Sequence, residues 1–175
     1  YSLFSLWRSW GIEPVAVLGH SVGGFVAACA AEVFSLEDGL RLSAARGRLM
    51  QALPPELMLA DFAREVAPVT FSPPRLTVIS DVTGRIATNE LTSREYWVEQ
   101  IRRPVQFVEG MKSLQAAGCD VFLEAGAKPT LLSLGRECIP DRGEVWLPSL
   151  HPGKSDWQPL LESLATLYVR GSRVD

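Results

Sequence analysis

An apolar run at residues 15–19 ends in Gly19-His-Ser-Val-Gly23, and a helical pattern begins there with no loop between. Val22, Phe25, Val26, Cys29, Ala30 and Val33 recur at i, i+3, i+4, i+7, i+8 and i+11, the period of one helix face. A strand that feeds a helix through so short a turn commits the chain to packed layers of strand and helix. Further apolar runs at 76–80, 121–124 and 145–147 predict strands, each followed by a turn signal and then, soon or later, by helix. Helical patterns are read at 3–10, 22–33, 35–51, 56–66, 93–102, 105–117, 130–137 and 156–170, with Ser35-Leu-Glu-Asp38 as a capping box for the third and Pro54-Pro55 as its stop. The alternation predicts an α/β fold, a mostly parallel sheet with flanking helices. In the last helix Leu160, Leu161, Leu164, Leu167 and Tyr168 are expected to face the core.

The same turn carries the most specific chemistry in the chain. A G-x-S-x-G turn between strand and helix needs glycines for close backbone approach, and it lifts the serine hydroxyl to the helix N-terminus. Ser21 is therefore the candidate acyl-accepting nucleophile, and the backbone N–H of Val22, with the helix dipole, the candidate oxyanion donor. His20 is a poor base for Ser21, because neighbouring residues at a strand end point in opposite directions; it reads as a structural histidine. At about 100° per residue, Arg46 falls among Leu42, Leu49 and Met50 on the apolar face of its helix, opposite Glu37, Arg41 and Arg48. A guanidinium on an inward face requires an anion, either a protein carboxylate or the carboxylate of a substrate held bidentately.

Composition narrows the partners. With 17 Lys+Arg against 20 Asp+Glu the net charge is −3, which gives no electrostatic footprint for nucleic acid or for an anionic membrane. No apolar run approaches the ~20 residues of a membrane span and no leader opens the sequence, so a cytoplasmic protein is expected. Cys29, Cys119 and Cys138 form no CxxC pair; reduced, mostly buried thiols are expected and no metal site. The 175 residues suit one domain, and an opening at Tyr1 inside a helical pattern implies a piece of a longer polypeptide. There are two histidines, His20 and His151, in the whole chain.

These residues resemble the acyltransferase domains of modular polyketide synthases and the malonyl-CoA:acyl-carrier-protein transacylases. The resemblance is carried in order by Leu6-Trp-Arg-Ser-Trp-Gly11, Gly19-His-Ser-Val-Gly23, Ala44-Ala-Arg-Gly-Arg-Leu-Met-Gln51, Val78-Ile-Ser-Asp-Val-Thr-Gly84, Tyr96-Trp-Val-Glu-Gln-Ile-Arg-Arg-Pro-Val105 and Phe122-Leu-Glu-Ala-Gly126. The Trp-rich first helix and the Leu147-Pro-Ser-Leu150 tail favour the polyketide branch. The resemblance implies an α/β-hydrolase-like large subdomain in which Ser21 takes an acyl group from coenzyme A and hands it to the phosphopantetheine thiol of an acyl carrier protein. No bound cofactor is implied. Arg46, 25 positions after Ser21, matches the arginine that grips the free carboxylate of malonyl-type groups. Gln100 falls in the segment whose backbone helps orient the catalytic histidine, and His20 borders the substrate. Ketosynthase, linker and carrier-protein neighbours in a megasynthase are the implied partners.

Departures from the family pattern are as informative. Gly24 stands where the family has a glutamate. The Gly-Gln-Gly-Ser-Gln segment that supplies a second oxyanion donor would lie upstream of Tyr1. In relatives the Arg46 helix leads into a ferredoxin-like small subdomain and then the motif with the catalytic histidine; here Pro55 joins Glu56 directly, so a deletion junction near 55–56 is expected, with the motif that separates malonyl from methylmalonyl lost as well. Three readings remain: an acyltransferase impaired by the missing base, a non-catalytic scaffold remnant in a megasynthase, or an α/β serine hydrolase in which Ser21 is followed by Asp120, Glu124 or Asp141 and then His151.

Overall fold

A computed structural model describes residues 1–52 and 55–174, with the side chains of all of these but 55–57. In chain order the elements are α1 (Ser2–Ser9), β1 (Ala16–Leu18), α2 (Val22–Ala30), α3 (Leu36–Ala52), α4 (Pro55–Val66), β2 (Thr77–Ile79), α5 (Arg94–Gln100), α6 (Phe107–Ala116), β3 (Val121–Glu124), α7 (Thr130–Cys138), β4 (Val145–Pro148) and α8 (Trp157–Val169). The chain divides into two compact units, Val15–Ser113 on one hand and Tyr1–Pro14 with Leu114–Asp175 on the other. Each holds one parallel strand pair, as the alternation of strand and helix predicts.

In the unit Val15–Ser113, β1 pairs with β2 with Val17 opposite Val78. The crossover between these parallel strands is made by α2, α3 and α4. Helix α2 is buried on nearly every side through Phe25, Ala27, Ala28, Cys29 and Ala30, and Val33 beyond it is fully buried. The core is aromatic at its centre: the Phe25 ring lies 6.2 Å from Phe62 and 5.3 Å from Trp97, and Trp97 lies 4.9 Å from Phe34. Burial leaves the Cys29 thiol neutral, with its pKa pushed up to about 11. The other two cysteines are half-buried, which departs from the expected mostly buried set.

Ser35 caps α3 by accepting the Asp38 N–H at 3.0 Å while its own hydroxyl donates to the Asp38 carboxylate at 2.8 Å. The side chain of Asp38 thus returns to the hydroxyl. Pro54, half of the expected stop, lies outside the described residues. Helix α3 ends at Ala52, just ahead of the expected stop, and Pro55 is the first residue of α4, where a missing N–H costs the helix nothing. The expected junction at 55–56 therefore falls in the first turn of a helix. Arg41 and Arg48 of α3 both reach Glu65 of α4, at 3.8 and 2.8 Å. Met50 is 51% exposed, so the apolar face read for this helix ends at Leu42 and Leu49.

In the other unit β3 pairs with β4 in register Phe122 to Trp146. Trp7 of α1 donates its indole N–H to Ser149 Oγ at 2.8 Å, and Ser149 donates to the Glu124 carbonyl at 2.7 Å. Helix α8 buries Pro159, Leu160, Ser163 and Leu167, whereas Leu161 and Tyr168 are exposed. The expected inward set was one position too wide, because each of these follows an inward residue by about 100° of helix rotation. Among the described residues no helix is long and apolar enough to cross a membrane.

Replacing Phe25 by Ala removes the ring at the centre of the aromatic cluster. The expected cost is ~3–5 kcal/mol, read as a fall in the urea midpoint with unchanged slope.

Candidate active site

The turn after β1 is built as the glycines require. A Cβ on Gly19 would fall on the backbone of Gly23 and Gly24, so only glycine lets β1 meet the head of α2 this closely. Ser21 has φ 57° and ψ −114°, in the region where a residue with a side chain is strained by ~1–3 kcal/mol. The Gly23 and Gly24 N–H groups close the turn on the His20 and Ser21 carbonyls at 2.9 and 3.0 Å. The N–H of Val22, first residue of α2, remains among the orphan donors that every helix start presents.

Arg46 Nη2 donates to Ser21 Oγ at 2.8 Å. The helical-face reading asked for an anion beside Arg46 and the resemblance for a substrate carboxylate; in the structure its partner is the Ser21 hydroxyl. Among the described residues it forms no ion pair, and its Nε is buried with no hydrogen-bond partner. The guanidinium therefore stands beside the serine hydroxyl with hydrogen-bonding capacity unspent. His20 packs its ring edge-on against Phe107, centroids 5.7 Å apart.

Gln100 enters by a route the sequence did not indicate. The family comparison assigned a role to its backbone, but here its side chain acts: Nε2 donates to the Ser21 carbonyl at 2.9 Å and to Asp81 Oδ2 at 2.8 Å. Asp81, in the turn after β2, is 4% exposed and was not singled out among the site residues. Its Oδ1 lies 3.4 Å from Tyr96 Oη, which in turn lies 2.8 Å from Ser80 Oγ. Burial raises the Asp81 carboxyl above the usual carboxylate range, opposed by hydrogen bonds from Gln100 and Tyr96 and by nearby His20. Burial likewise pushes the Tyr96 hydroxyl up. A Cβ on Gly24 would lie 3.0 Å from both Asp81 Oδ2 and Gln100 Nε2, so a side chain here would crowd this pair.

The carboxylates considered with His151 are otherwise engaged. Asp120 pairs with Arg170, Glu124 accepts the Leu132 N–H at the head of α7, and Asp141 accepts the Gly143 N–H. His151 is exposed, and its Nδ1 lies 2.8 Å from the Pro152 carbonyl oxygen. It belongs to the second unit, whereas Ser21 belongs to Val15–Ser113.

A sequence profile described as acyl transferase domain matches residues 1–60. The chain belongs to the acyltransferase domains of polyketide synthases. It is 31% identical to the spectinabilin polyketide synthase system protein NorB of Streptomyces orinoci, with 99% of this chain and 12% of that protein covered. That match runs over 252 residues, against 175 in the whole of this chain. The acyltransferase domain from the second module of the salinomycin polyketide synthase superposes with a TM-score of 0.94 at 28% identity, covering 99% of this chain and 58% of that one. A malonyl-CoA:acyl carrier protein transacylase from Xanthomonas oryzae shares the fold, with a TM-score of 0.78 at 19% identity over 92% of this chain and 76% of that one. The chain thus spans little more than half of the salinomycin domain and a small part of NorB.

Two substitutions test the geometry. Gly19→Ala is expected to disrupt the turn and lower the melting temperature, because the added methyl meets backbone that cannot rotate away. The folded Asp81 carboxyl has a higher pKa than the unfolded one. Its protonated form is favoured on folding, so the stability it contributes is full below the unfolded value and is lost as pH rises through the folded one. Asp81→Asn, which does not ionise, should therefore melt above the unaltered protein at pH 7, with the gain shrinking to nothing below about pH 3.5. A variant less stable at pH 7 than at pH 3.5, relative to the parent at each pH, would contradict the assignment.

Proposed function

We propose that the chain is an acyltransferase domain of a polyketide megasynthase, built to move a malonyl-type acyl group from coenzyme A to an acyl carrier protein, and impaired by the absence of a catalytic histidine. One observation carries the reading: Arg46 Nη2 lies 2.8 Å from Ser21 Oγ, so a cation able to grip a carboxylate stands at the serine. An acyl group with a free carboxylate gains charge-assisted hydrogen bonds there, whereas a neutral acyl group leaves Arg46 as it is.

In the first half-reaction Ser21 Oγ forms a bond to the thioester carbon, the carbon–sulfur bond breaks, and the serine proton ends on the departing thiol. The oxyanion formed on the way faces the Val22 N–H and the positive end of α2. In the second, the phosphopantetheine thiol of the carrier protein takes the acyl group and the proton returns to Ser21. Both steps need a base beside Oγ, worth ~10²–10⁴-fold in rate. Arg46 is a permanent cation and cannot serve. The match runs over 252 residues while using 99% of a chain of 175, which supports the loss of an internal segment. The domain is read as cytoplasmic, with ketosynthase, linker and carrier-protein neighbours.

The test is intact-mass measurement after incubation with malonyl-CoA, with and without imidazole as a base from solution. Acylation well below stoichiometric is expected alone, rising with imidazole and absent in Ser21→Ala. Arg46→Ala should lower malonylation ~10–100-fold and leave acetylation from acetyl-CoA unchanged. Stoichiometric acyl-Ser21 without imidazole would overturn the impairment. No acylation of Ser21 under either condition would favour the scaffold reading.

A further inference from the structure

The Asp81 carboxylate is nearly fully buried, touches neither Ser21 Oγ nor Arg46, and has no part in the acyl-transfer steps above. Its partners lead back to the serine. The Gln100 NH2 group has two hydrogens and lies against two acceptors, the Ser21 carbonyl at 2.9 Å and Asp81 Oδ2 at 2.8 Å. That arrangement fixes which way the amide faces, since a rotated amide would set its oxygen against both acceptors. It also leaves Gln100 Oε1 buried without a partner, so the orientation is held by the amine end alone.

We propose that Asp81 is a positioning residue for Ser21, acting through the Gln100 amide. Asp81 is itself held at two further points: its carbonyl accepts the Gln106 N–H at 2.7 Å, and its Oδ1 faces Tyr96 Oη at 3.4 Å, which is tied in turn to Ser80 Oγ at 2.8 Å. Gly24 lacks the Cβ that would crowd the carboxylate and the amide. The Ser21 carbonyl accordingly accepts twice, from the Gly24 N–H at 3.0 Å and from Gln100. Two donors on one carbonyl fix the orientation of the Ser21–Val22 peptide plane, and with it the ψ of −114° at the serine whose Oγ meets Arg46. The acceptor oxygen at position 81 is the working part; its charge is not.

The proposal rests on Ser21 as the acylated residue only for its catalytic consequence, so the experiment reads conformation first. In the full chain labelled with ¹³C and ¹⁵N, the Ser21 backbone shifts and couplings and the Gln100 side-chain NH2 signals are compared among the unaltered protein, Asp81→Leu, Asp81→Asn and Gln100→Leu. Asp81→Leu and Gln100→Leu should move the Ser21 ψ away from −114°, whereas Asp81→Asn, which keeps an acceptor oxygen, should preserve it. Imidazole-dependent malonylation should fall at least ~10-fold in the two leucine variants and recover in Asp81→Asn. An unchanged Ser21 in folded Asp81→Leu overturns the proposal, as does Asp81→Asn behaving like Asp81→Leu. If Asp81→Leu does not fold, Gln100→Leu and Asp81→Asn carry the same decision. If no variant is acylated, the acyltransferase reading fails, and the NMR comparison still decides the role of Asp81.

Discussion

A serine with positive φ at the head of a helix is held against its own preference, and the surrounding residues are arranged to hold it. Relaxing Ser21 would release ~1–3 kcal/mol, so the strain persists only because neighbours over-determine it. Gly19 permits β1 to approach α2, and Gly24 opens space for Asp81 and Gln100. The Gln100 side chain then anchors the Ser21 carbonyl from α5. The aromatic cluster of Phe25, Phe34, Phe62 and Trp97 is the packing that keeps α2 and α5 in place for this contact.

Electrostatics at the site are unbalanced in a way that suits a ligand. Arg46 has no carboxylate partner among the described residues and spends one hydrogen bond on Ser21 Oγ, leaving its buried Nε unpartnered. A buried donor without an acceptor costs ~1–3 kcal/mol, which an arriving carboxylate would recover. Asp81 is the converse case, a buried acceptor set that serves geometry and costs stability at neutral pH.

Much of this was legible in the sequence because it rests on local pattern. The strand-to-helix turn, the α2 stripe and the Ser35 cap depend on residues within a few positions of one another, and Arg46 could be placed by helical phase. What escaped was contact across sequence distance. Gln100 and Ser21 are 79 positions apart, and Asp81 reads in the sequence as a turn residue after a short strand. Gly24 reads in the sequence as a departure from a family pattern; its closeness to Asp81 and Gln100 becomes visible only in the fold. Helical phase erred at Met50, Leu161 and Tyr168, where apolar residues lie at the margin of a buried face and remain exposed.

On the proposed function, the Ser21–Arg46 site binds a carboxylated acyl group whether or not a base is present to react it. The most direct measurement is calorimetric affinity for malonyl-CoA against acetyl-CoA, in the unaltered protein and in Arg46→Ala. Malonyl-CoA is expected to bind at least ~10-fold tighter than acetyl-CoA, with the difference abolished in Arg46→Ala. Equal affinities in the unaltered protein, or a malonyl preference that survives loss of Arg46, would contradict it.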